Sequence, residues 1–140
     1  MSSETPLVLV VDDFAAGREL CAEYLEFRGY AVATAADGAE ALDKALALRP
    51  DAILMDLSLP EIDGWEATRR LRGDERTRGI KIIALTAHAL DAERDRALEA
   101  GCDEVVTKPV IPKELERVVR RQLGRESAPD EERGSERGAP

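Results

Sequence analysis

The sequence predicts a single α/β domain built on a doubly wound, five-stranded parallel sheet. Short apolar runs alternate five times with stretches of helical periodicity, and polar residues follow the end of most of the runs. Strands that alternate with helices favour a parallel sheet with helices on both faces. The length of 140 residues suits one domain, and a composition that is 44% hydrophobic but only 4% aromatic predicts a mostly aliphatic core.

The first strand and helix are predicted close to the amino terminus. Residues 7–11 form an unbroken apolar, β-branched run, which is typical of a strand covered on both faces. Helical periodicity follows over residues 15–28, and Gly29 is expected to end the helix. The positions that recur at three- and four-residue steps in this helix are Leu20, Cys21, Tyr24 and either Phe27 or Arg28.

The second unit pairs a short strand over residues 31–34 with a helix that has Asp37 as its predicted N-cap. The break at Pro50 ends this helix. Its predicted inward positions are Ala41, Leu42, Ala45, Leu46 and Leu48.

Three further units follow. The predicted strands are residues 52–55, 80–85 and 104–107, and the predicted helices are residues 65–71, residues 91–100 and a last helix that opens at Pro112. The inward stripe of the last helix is expected to contain Leu115, Val118, Val119, Gln122 and Leu123.

The composition constrains the partners and the cellular compartment of this domain. The formal net charge of −9 argues against direct binding to nucleic acid or to an anionic membrane. No apolar stretch approaches the ~18 residues of a membrane span. Two cysteines without metal-type spacing are expected to be reduced thiols, so the chain is predicted to be cytoplasmic.

The composition changes after Gly124. Residues 125–140 contain five acids, three arginines and no hydrophobic residue larger than alanine. Such a segment buries too little apolar surface to offset its conformational entropy. The predicted domain therefore covers residues 1–124, and residues 125–140 are predicted to be a disordered charged tail.

Polar side chains collect where the predicted strands end. They are Asp12 and Asp13, Asp56, Thr86 and Lys108, and the carboxyl ends of parallel strands form one edge of the sheet. Three neighbouring carboxylates repel one another, and a hard cation such as Mg²⁺ relieves that repulsion. With the lysine ammonium and the threonine hydroxyl, this set indicates a phosphoryl-transfer site.

An aspartate is the best candidate to accept the phosphoryl group. The chain has no Gly-x-x-x-x-Gly-Lys loop to hold a nucleotide. An aspartate can act as the nucleophile itself and form an acyl phosphate. Asp56 stands alone after the central apolar run, whereas Asp12 and Asp13 are adjacent and are interpreted as a metal-binding pair.

Four motifs in this order resemble the receiver domain of two-component response regulators, of the stand-alone type. The resemblance covers residues 5–124 and implies a flavodoxin-like fold with strand order 2-1-3-4-5. The motifs are Val-Val-Asp12-Asp13, Leu-Met-Asp56-Leu-Ser-Leu-Pro60-x-x-Asp-Gly64, Ala-Leu-Thr86-Ala87 and Thr-Lys108-Pro109.

The resemblance implies a role for each acidic residue of the motifs. Asp56 would be the phosphoacceptor and would contact the metal. Asp13 would bind Mg²⁺ directly, and Asp12 would assist, partly through water. The backbone carbonyl of Ser58 would complete the protein ligands.

Other implied roles concern the phosphoryl group and the signal. Lys108 and Thr86 would contact the phosphoryl oxygens, and the bond from Lys108 to Pro109 would be cis. Many receivers carry Tyr or Phe three residues before this lysine, where a ring turns inward on activation. Here the position is Val105, which puts the usual threonine–aromatic switch in doubt.

As partners, the resemblance implies a histidine kinase or a histidine phosphotransfer protein as donor, and a downstream protein that binds the face of helix 4, strand 5 and helix 5. No nucleic acid and no membrane are expected as direct partners because of the acidic composition, and no enzymatic activity is expected beyond phosphorylation and dephosphorylation of the chain itself. Homodimer formation stays open. So does the choice between a stand-alone regulator and a receiver of a hybrid kinase.

Two other functions remain as alternatives. A Mg²⁺-dependent phosphatase would carry a second aspartate two residues after the nucleophile, where this chain has Ser58. A docking module that needs no phosphate is weakly favoured by Val105 alone. His88 is interpreted as a loop residue at the rim of the site, and Trp65 as a packing residue.

Overall fold

A computed structural model describes residues 5–58, 63–87 and 91–125, and these ranges form five strands and five helices in strict alternation. The predicted order of βα units is confirmed, with boundaries that move by at most two residues. The elements are β1 (Leu7–Val11), α1 (Ala15–Phe27), β2 (Ala31–Ala35), α2 (Gly38–Leu48), β3 (Ala52–Asp56), α3 (Gly64–Gly73), β4 (Lys81–Thr86), α4 (Asp91–Ala100), β5 (Glu104–Thr107) and α5 (Pro112–Gln122).

The strands form one parallel sheet in the order β2-β1-β3-β4-β5. This confirms the doubly wound, flavodoxin-like topology. In the register of the sheet, Val11 pairs with Met55, Asp56 with Leu85 and Thr86 with Thr107. The strand tips that carry the predicted site residues therefore lie side by side at one edge.

Two apolar clusters fill the two faces of the sheet. Side chains of α2, α3 and α4 pack on one face, and side chains of α1 and α5 pack on the other. The buried residues are mostly aliphatic, as predicted, and Trp65 is 8% exposed on the α2–α4 face. The packing role predicted for Trp65 is thereby confirmed, and the guanidinium of Arg96 lies 4.3 Å from the centre of its ring.

The positions predicted from the periodicity of α1 are buried only in part. Cys21 packs against the core, whereas Leu20 and Phe27 are 58% and 81% exposed, and Leu25 is the residue of α1 that is fully buried. Apolar side chains lie on two sides of this helix, because Leu20, Tyr24 and Phe27 form a second stripe with the same helical spacing. Contact with the sheet selects the side that carries Leu25, and periodicity alone does not distinguish the two. Leu48, in the last turn of α2, is also exposed.

Charged residues of α5 are buried beside its predicted apolar stripe. Leu115 and Val119 are buried as predicted, and Val118 and Leu123 are partly buried. Glu116 and Arg120 are also buried, at 4% and 6% exposure, which the sequence pattern did not predict.

Both cysteines are free, as predicted. Burial is the main cause that raises the pKa of Cys21 to about 12 and that of Cys102 to about 11, so both thiols are protonated at neutral pH. In the described ranges, no helix is long and apolar enough to cross a membrane. The predictions for His88, for Pro60 and for the tail beyond Arg125 lie outside the described residues.

Candidate functional site

The ends of β1 and β3 bring three carboxylates together. One carboxylate oxygen from each of Asp12, Asp13 and Asp56 lies within 4.8 Å of the other two. Asp56 is buried, Asp12 is half-buried and Asp13 is exposed. The cluster is therefore open to solvent on the side of Asp13 and closed by the sheet on the side of Asp56.

Hydrogen bonds hold both oxygens of the Asp56 carboxylate. Oδ1 accepts the backbone N–H of Ser58 at 2.9 Å, and Oδ2 accepts the ammonium of Lys108 at 3.1 Å. Lys108 follows β5, two strands away from Asp56 in the sheet. The backbone N–H of Lys108 donates to the carbonyl of Thr86 at 2.7 Å, which ties this lysine to the buried end of β4.

Asp12 shapes the turn from β1 into α1. Its Oδ1 accepts the backbone N–H of Phe14 at 2.9 Å, and its carbonyl accepts Nη1 of Arg18 at 2.8 Å. Burial raises the pKa of the Asp12 carboxyl, and the charge of Asp56 raises it further, against the Phe14 N–H and the charge of Lys108. This excess of negative charge favours a bound cation. The contact of Arg18 was not predictable, because a hydrogen bond to a backbone carbonyl leaves no pattern in the sequence.

Gly64 allows α3 to begin directly against the end of β3. A Cβ atom on Gly64 would lie 2.4 Å from the carbonyl oxygen of Asp56 and 2.7 Å from Cα of Leu57. Real side chains do not approach a backbone so closely. Asp63 then caps the helix by accepting the backbone N–H of Glu66 at 2.9 Å. The Asp-Gly pair of the sequence motif is therefore a packing requirement of this loop.

The donor set fits Mg²⁺. Carboxylate oxygens are ligands that this hard cation prefers, and the open side of the cluster leaves room for water and for a phosphoryl oxygen. The backbone carbonyl of Ser58 adjoins this cluster along the chain, and its part in metal binding stays a prediction. The Lys108–Pro109 bond is cis, as predicted.

Val105 is a buried strand residue, paired with Ala84 in the sheet and 6% exposed. Thr86 is 3% exposed at the end of the neighbouring strand. The position that carries an aromatic ring in many receivers therefore holds a small side chain that is part of the core.

Carboxylates clustered at the tips of β1 and β3, with a lysine that follows β5 bonded to one of them, are the arrangement expected of a domain that accepts a phosphoryl group on aspartate. The family model described as response regulator receiver domain matches residues 8–120. The chain belongs to this family, whose members are the receiver domains of two-component signalling, and the resemblance predicted from the four motifs is confirmed.

Similar proteins agree in sequence and in fold. The polar-differentiation response regulator DivK of Brucella anthropi is 38% identical over 112 residues, which cover 79% of this chain and 91% of DivK. The receiver domain of a sensor histidine kinase from Pseudomonas aeruginosa PAO1 is 40% identical with a TM-score of 0.79, and the match covers 86% of this chain and 99% of that domain. That crystal structure has a magnesium ion coordinated in its active-site cleft.

A chemotaxis protein of Vibrio cholerae, CheY4, has the same fold. It is 31% identical with a TM-score of 0.80, and the match covers 84% of this chain and 98% of CheY4. Relatives therefore include a regulator, a chemotaxis protein and a kinase receiver.

Proposed function

We propose that Asp56 accepts a phosphoryl group from a phosphohistidine of a partner protein and that the modified domain signals by binding another protein. The single observation that carries this proposal is the position of the Asp56 carboxylate. It is buried at the sheet edge, with Lys108 at 3.1 Å and two further carboxylates within 4.8 Å.

Each residue of the site has a different role in the phosphoryl transfer. A carboxylate oxygen of Asp56 attacks phosphorus, the bond from phosphorus to the donor histidine nitrogen breaks, and the electron pair leaves with the imidazole. Lys108 places positive charge beside the transferred oxygens, where charge develops. Thr86, at the end of β4, supplies a hydroxyl donor for the same oxygens.

A magnesium ion would be held by Asp12, Asp13 and Asp56, with the carbonyl of Ser58. Bound there, it would neutralise the charge of the carboxylates and of the phosphoryl oxygens. The three-carboxylate cluster and the raised pKa of Asp12 support this assignment.

A small acyl phosphate tests the phosphoacceptor directly, because it needs no docking surface. With acetyl phosphate and Mg²⁺, mass spectrometry should show one added phosphoryl group on the wild-type chain and none on Asp56→Asn. Asp43→Asn removes an exposed carboxylate of α2 and is the matched control, which should react like wild type. Equal labelling of wild type and Asp56→Asn would contradict the proposal.

We also propose that the chain turns over no external phosphomonoester. Ser58 occupies the position two residues after the nucleophile, where a phosphatase of the aspartyl type carries its acid–base aspartate. Rapid hydrolysis of p-nitrophenyl phosphate, lost in Asp56→Asn, would favour the phosphatase instead.

The donor is proposed to dock beside the site, at the start of α1. A cavity of about 320 Å³ lies next to Asp12 and Lys108, and Cys21, Leu85 and Leu115 contribute to its mainly apolar lining. Phe14, at its edge, is 67% exposed, which is unusual for a phenylalanine and suits contact with an apolar partner surface.

Phe14→Ala separates docking from chemistry. Transfer from a phosphorylated kinase or phosphotransfer protein should slow about tenfold, because exposed aromatic anchors carry much of the binding energy at interfaces. Modification by acetyl phosphate should be unchanged. The control is Phe27→Ala, since Phe27 is 81% exposed at the other end of α1. Equal effects of the two substitutions would contradict docking at Phe14.

The output surface is proposed to be formed by α4, β5 and α5. A second cavity of about 290 Å³ lies along β5 and α5, with the 59% exposed Ile111 at its edge. Glu104 of β5 pairs with Arg121 and accepts a hydrogen bond from Gln122 of α5, so strand and helix form one surface. We also propose that the protein acts in the cytoplasm, where it would meet its partner kinase. Cell fractionation tests this location.

A further inference from the structure

The turn between β1 and α1 carries two of the three clustered carboxylates. Asp12 follows the last residue of β1, and Asp13 stands two residues before α1. The backbone N–H of Asp12 donates to the carbonyl of Ala35 at 3.1 Å, and Oδ1 of Asp12 accepts the backbone N–H of Phe14 at 2.9 Å. Both partners are backbone groups, so these two contacts do not depend on the side chains of Ala35 and Phe14.

Arg18 adds a contact to Asp12 that a side chain makes. Its Nη1 donates to the carbonyl of Asp12 at 2.8 Å in a partly buried position. The backbone N–H of Arg18 donates to the carbonyl of Phe14 at 3.0 Å, which places the residue in the first turn of α1. Arg18 therefore ties the first turn of the helix to the peptide group that joins Asp12 to Asp13.

The orientation of this peptide group determines where both carboxylates lie. The peptide is planar, so a rotation of its plane moves the Cα atom of Asp13 relative to Asp12. One oxygen of each carboxylate lies within 4.8 Å of the others, Asp56 included. Mg²⁺ requires near-ideal octahedral geometry with ligand distances of about 2.0–2.1 Å. A small rotation of the peptide would therefore lower the affinity for the ion.

Arg18 also lies close to the start of α2. Oε1 of Glu40 accepts the backbone N–H of Ala36 at 2.9 Å. This N–H and the ammonium of Lys44 are the main causes that lower the pKa of Glu40, and the charge of Arg18 contributes to the same shift. The guanidinium is thus placed between two neighbouring strand–helix turns at the carboxyl edge of the sheet, where it can hold one turn against the other.

We propose that Arg18 is a positioning residue of the metal site, which holds the carbonyl of Asp12 and so keeps the carboxylates of Asp12 and Asp13 in the arrangement that binds Mg²⁺. The inference rests on the proposed function, because that function takes Mg²⁺ as the ion of the site. It adds a residue that acts through Asp12 rather than by contact with the ion. Groups that orient metal ligands in this way typically contribute about 10- to 100-fold to metal affinity.

Position and charge predict opposite effects for the loss of Arg18. If the residue acted only through its charge, its removal would strengthen Mg²⁺ binding, because a positive charge would leave the neighbourhood of the cation. If it acts by holding the carbonyl of Asp12, its removal weakens Mg²⁺ binding. The sign of the change in affinity therefore distinguishes the two roles.

Titration of the full-length chain with Mg²⁺ at constant ionic strength tests the proposal. The amide NMR signals of Phe14 and Ser58 report binding, because these N–H groups donate to the carboxylates of Asp12 and Asp56. Arg18→Met keeps an unbranched stem without the charged donor, and it should bind Mg²⁺ about tenfold more weakly than wild type. Arg18→Lys should recover most of this loss, because one hydrogen bond to a carbonyl does not need a planar guanidinium.

Arg76→Met is the matched control. The side chain of Arg76 is 59% exposed in the segment before β4, at the opposite end of the sheet, and it pairs with Asp74. Its removal changes the net charge by the same amount and should leave the affinity for Mg²⁺ unchanged. Urea unfolding of each variant establishes the conditions under which it is folded, so that affinities are compared between folded chains.

An affinity of Arg18→Met equal to or higher than that of wild type would overturn the proposal, and Arg18 would then serve only the stability of the turn. Equal losses in Arg18→Met and Arg76→Met would also overturn it. A second measurement uses acetyl phosphate. In Arg18→Met, the Mg²⁺ concentration for half-maximal labelling of Asp56 should rise, while the rate at saturating Mg²⁺ stays close to that of wild type. Absence of labelling in wild type would contradict the proposed phosphoacceptor, whereas unchanged Mg²⁺ affinity in Arg18→Met would contradict only the role of Arg18.

Discussion

The two ends of the sheet carry charged clusters of opposite composition. At the carboxyl edge, Asp12, Asp13 and Asp56 lie together, and the ammonium of Lys108 contacts Asp56. At the other end, the carboxylate of Glu116 lies close to the guanidinium groups of Arg28 and Arg120. In the described part of the chain, each end therefore combines several charges of one sign with a counter-charge of the other.

The ends differ in how the counter-charge is held. The Glu116 carboxylate accepts from a tyrosine and an arginine, and its side chain is 5% exposed. The Lys108 side chain is 34% exposed and makes one bond to the acids. The basic end is thus fixed by buried partners, whereas the acidic end is open to an ion and to a phosphoryl group. A site that must change charge during signalling needs this openness.

The largest effect is expected from Glu116→Gln. Removal of the carboxylate leaves Arg120 and Arg28 without its charge in a buried position, and loss of one partner of a buried pair typically costs about 3–5 kcal/mol. Urea unfolding should show that loss, and Glu114→Gln, at an exposed position of the same helix, should stay within about 1 kcal/mol of wild type.

Joint replacement of Glu116 and Arg120 by methionine should recover part of the stability, since a matched apolar pair needs no counter-charge. A single Glu116→Gln variant as stable as wild type would show that the cluster does not depend on this carboxylate. The two ends of the sheet would then not differ in how firmly the counter-charge is held.

Lys108→Met at the acidic end is expected to have a smaller effect. In metal-free buffer the free energy of unfolding should fall by about 1–2 kcal/mol, because a charged hydrogen bond is lost from a side chain that solvent already screens in part. Added Mg²⁺ should restore much of this loss, since the cation supplies the missing positive charge. Mg²⁺ should not restore Glu116→Gln.

Lys113→Met removes an exposed lysine of α5 and serves as the control. Its stability should not depend on Mg²⁺ more than that of wild type. If Lys108→Met and Lys113→Met behave alike, Lys108 contributes nothing to the balance of charge at the acidic edge.

The acidic end was predictable from the sequence, because in a parallel sheet the residues that follow the strands must meet at one edge. Asp12 and Asp56 each stand directly after an apolar run, and Lys108 stands directly after the predicted strand 104–107, so the fold places all three at this edge. The close approach at Gly64 was present in the sequence only as a motif, and its reason needs the backbone coordinates.

The basic end was not predictable. Tyr30 and Glu116 are 86 positions apart, and nothing in the spacing of α5 distinguishes a buried glutamate from a solvated one. The same limit explains why the periodic positions of α1 are buried only in part. Leu20 and Leu25 lie on different sides of that helix, and only the partner across the interface decides which side is buried.

Asp12→Asn should have the smallest effect and the opposite sign, because it removes a negative charge that burial and the charge of Asp56 both disfavour. The pKa of Asp12 is raised above its ordinary value of 3.8, so folding favours the protonated form of this carboxyl. The stability that the protonated Asp12 carboxyl contributes is fully present below its pKa in the unfolded chain. It is lost as the pH rises through its pKa in the folded protein. At pH 7 without metal, Asp12→Asn should therefore be more stable than wild type, and the gain should vanish below about pH 3.8. Thermal unfolding across this pH range, with and without Mg²⁺, measures both the pH dependence and the effect of the metal. Mg²⁺ should stabilise wild type more than the variant, and a variant less stable than metal-free wild type at pH 7 would show that the carboxylates are not in conflict.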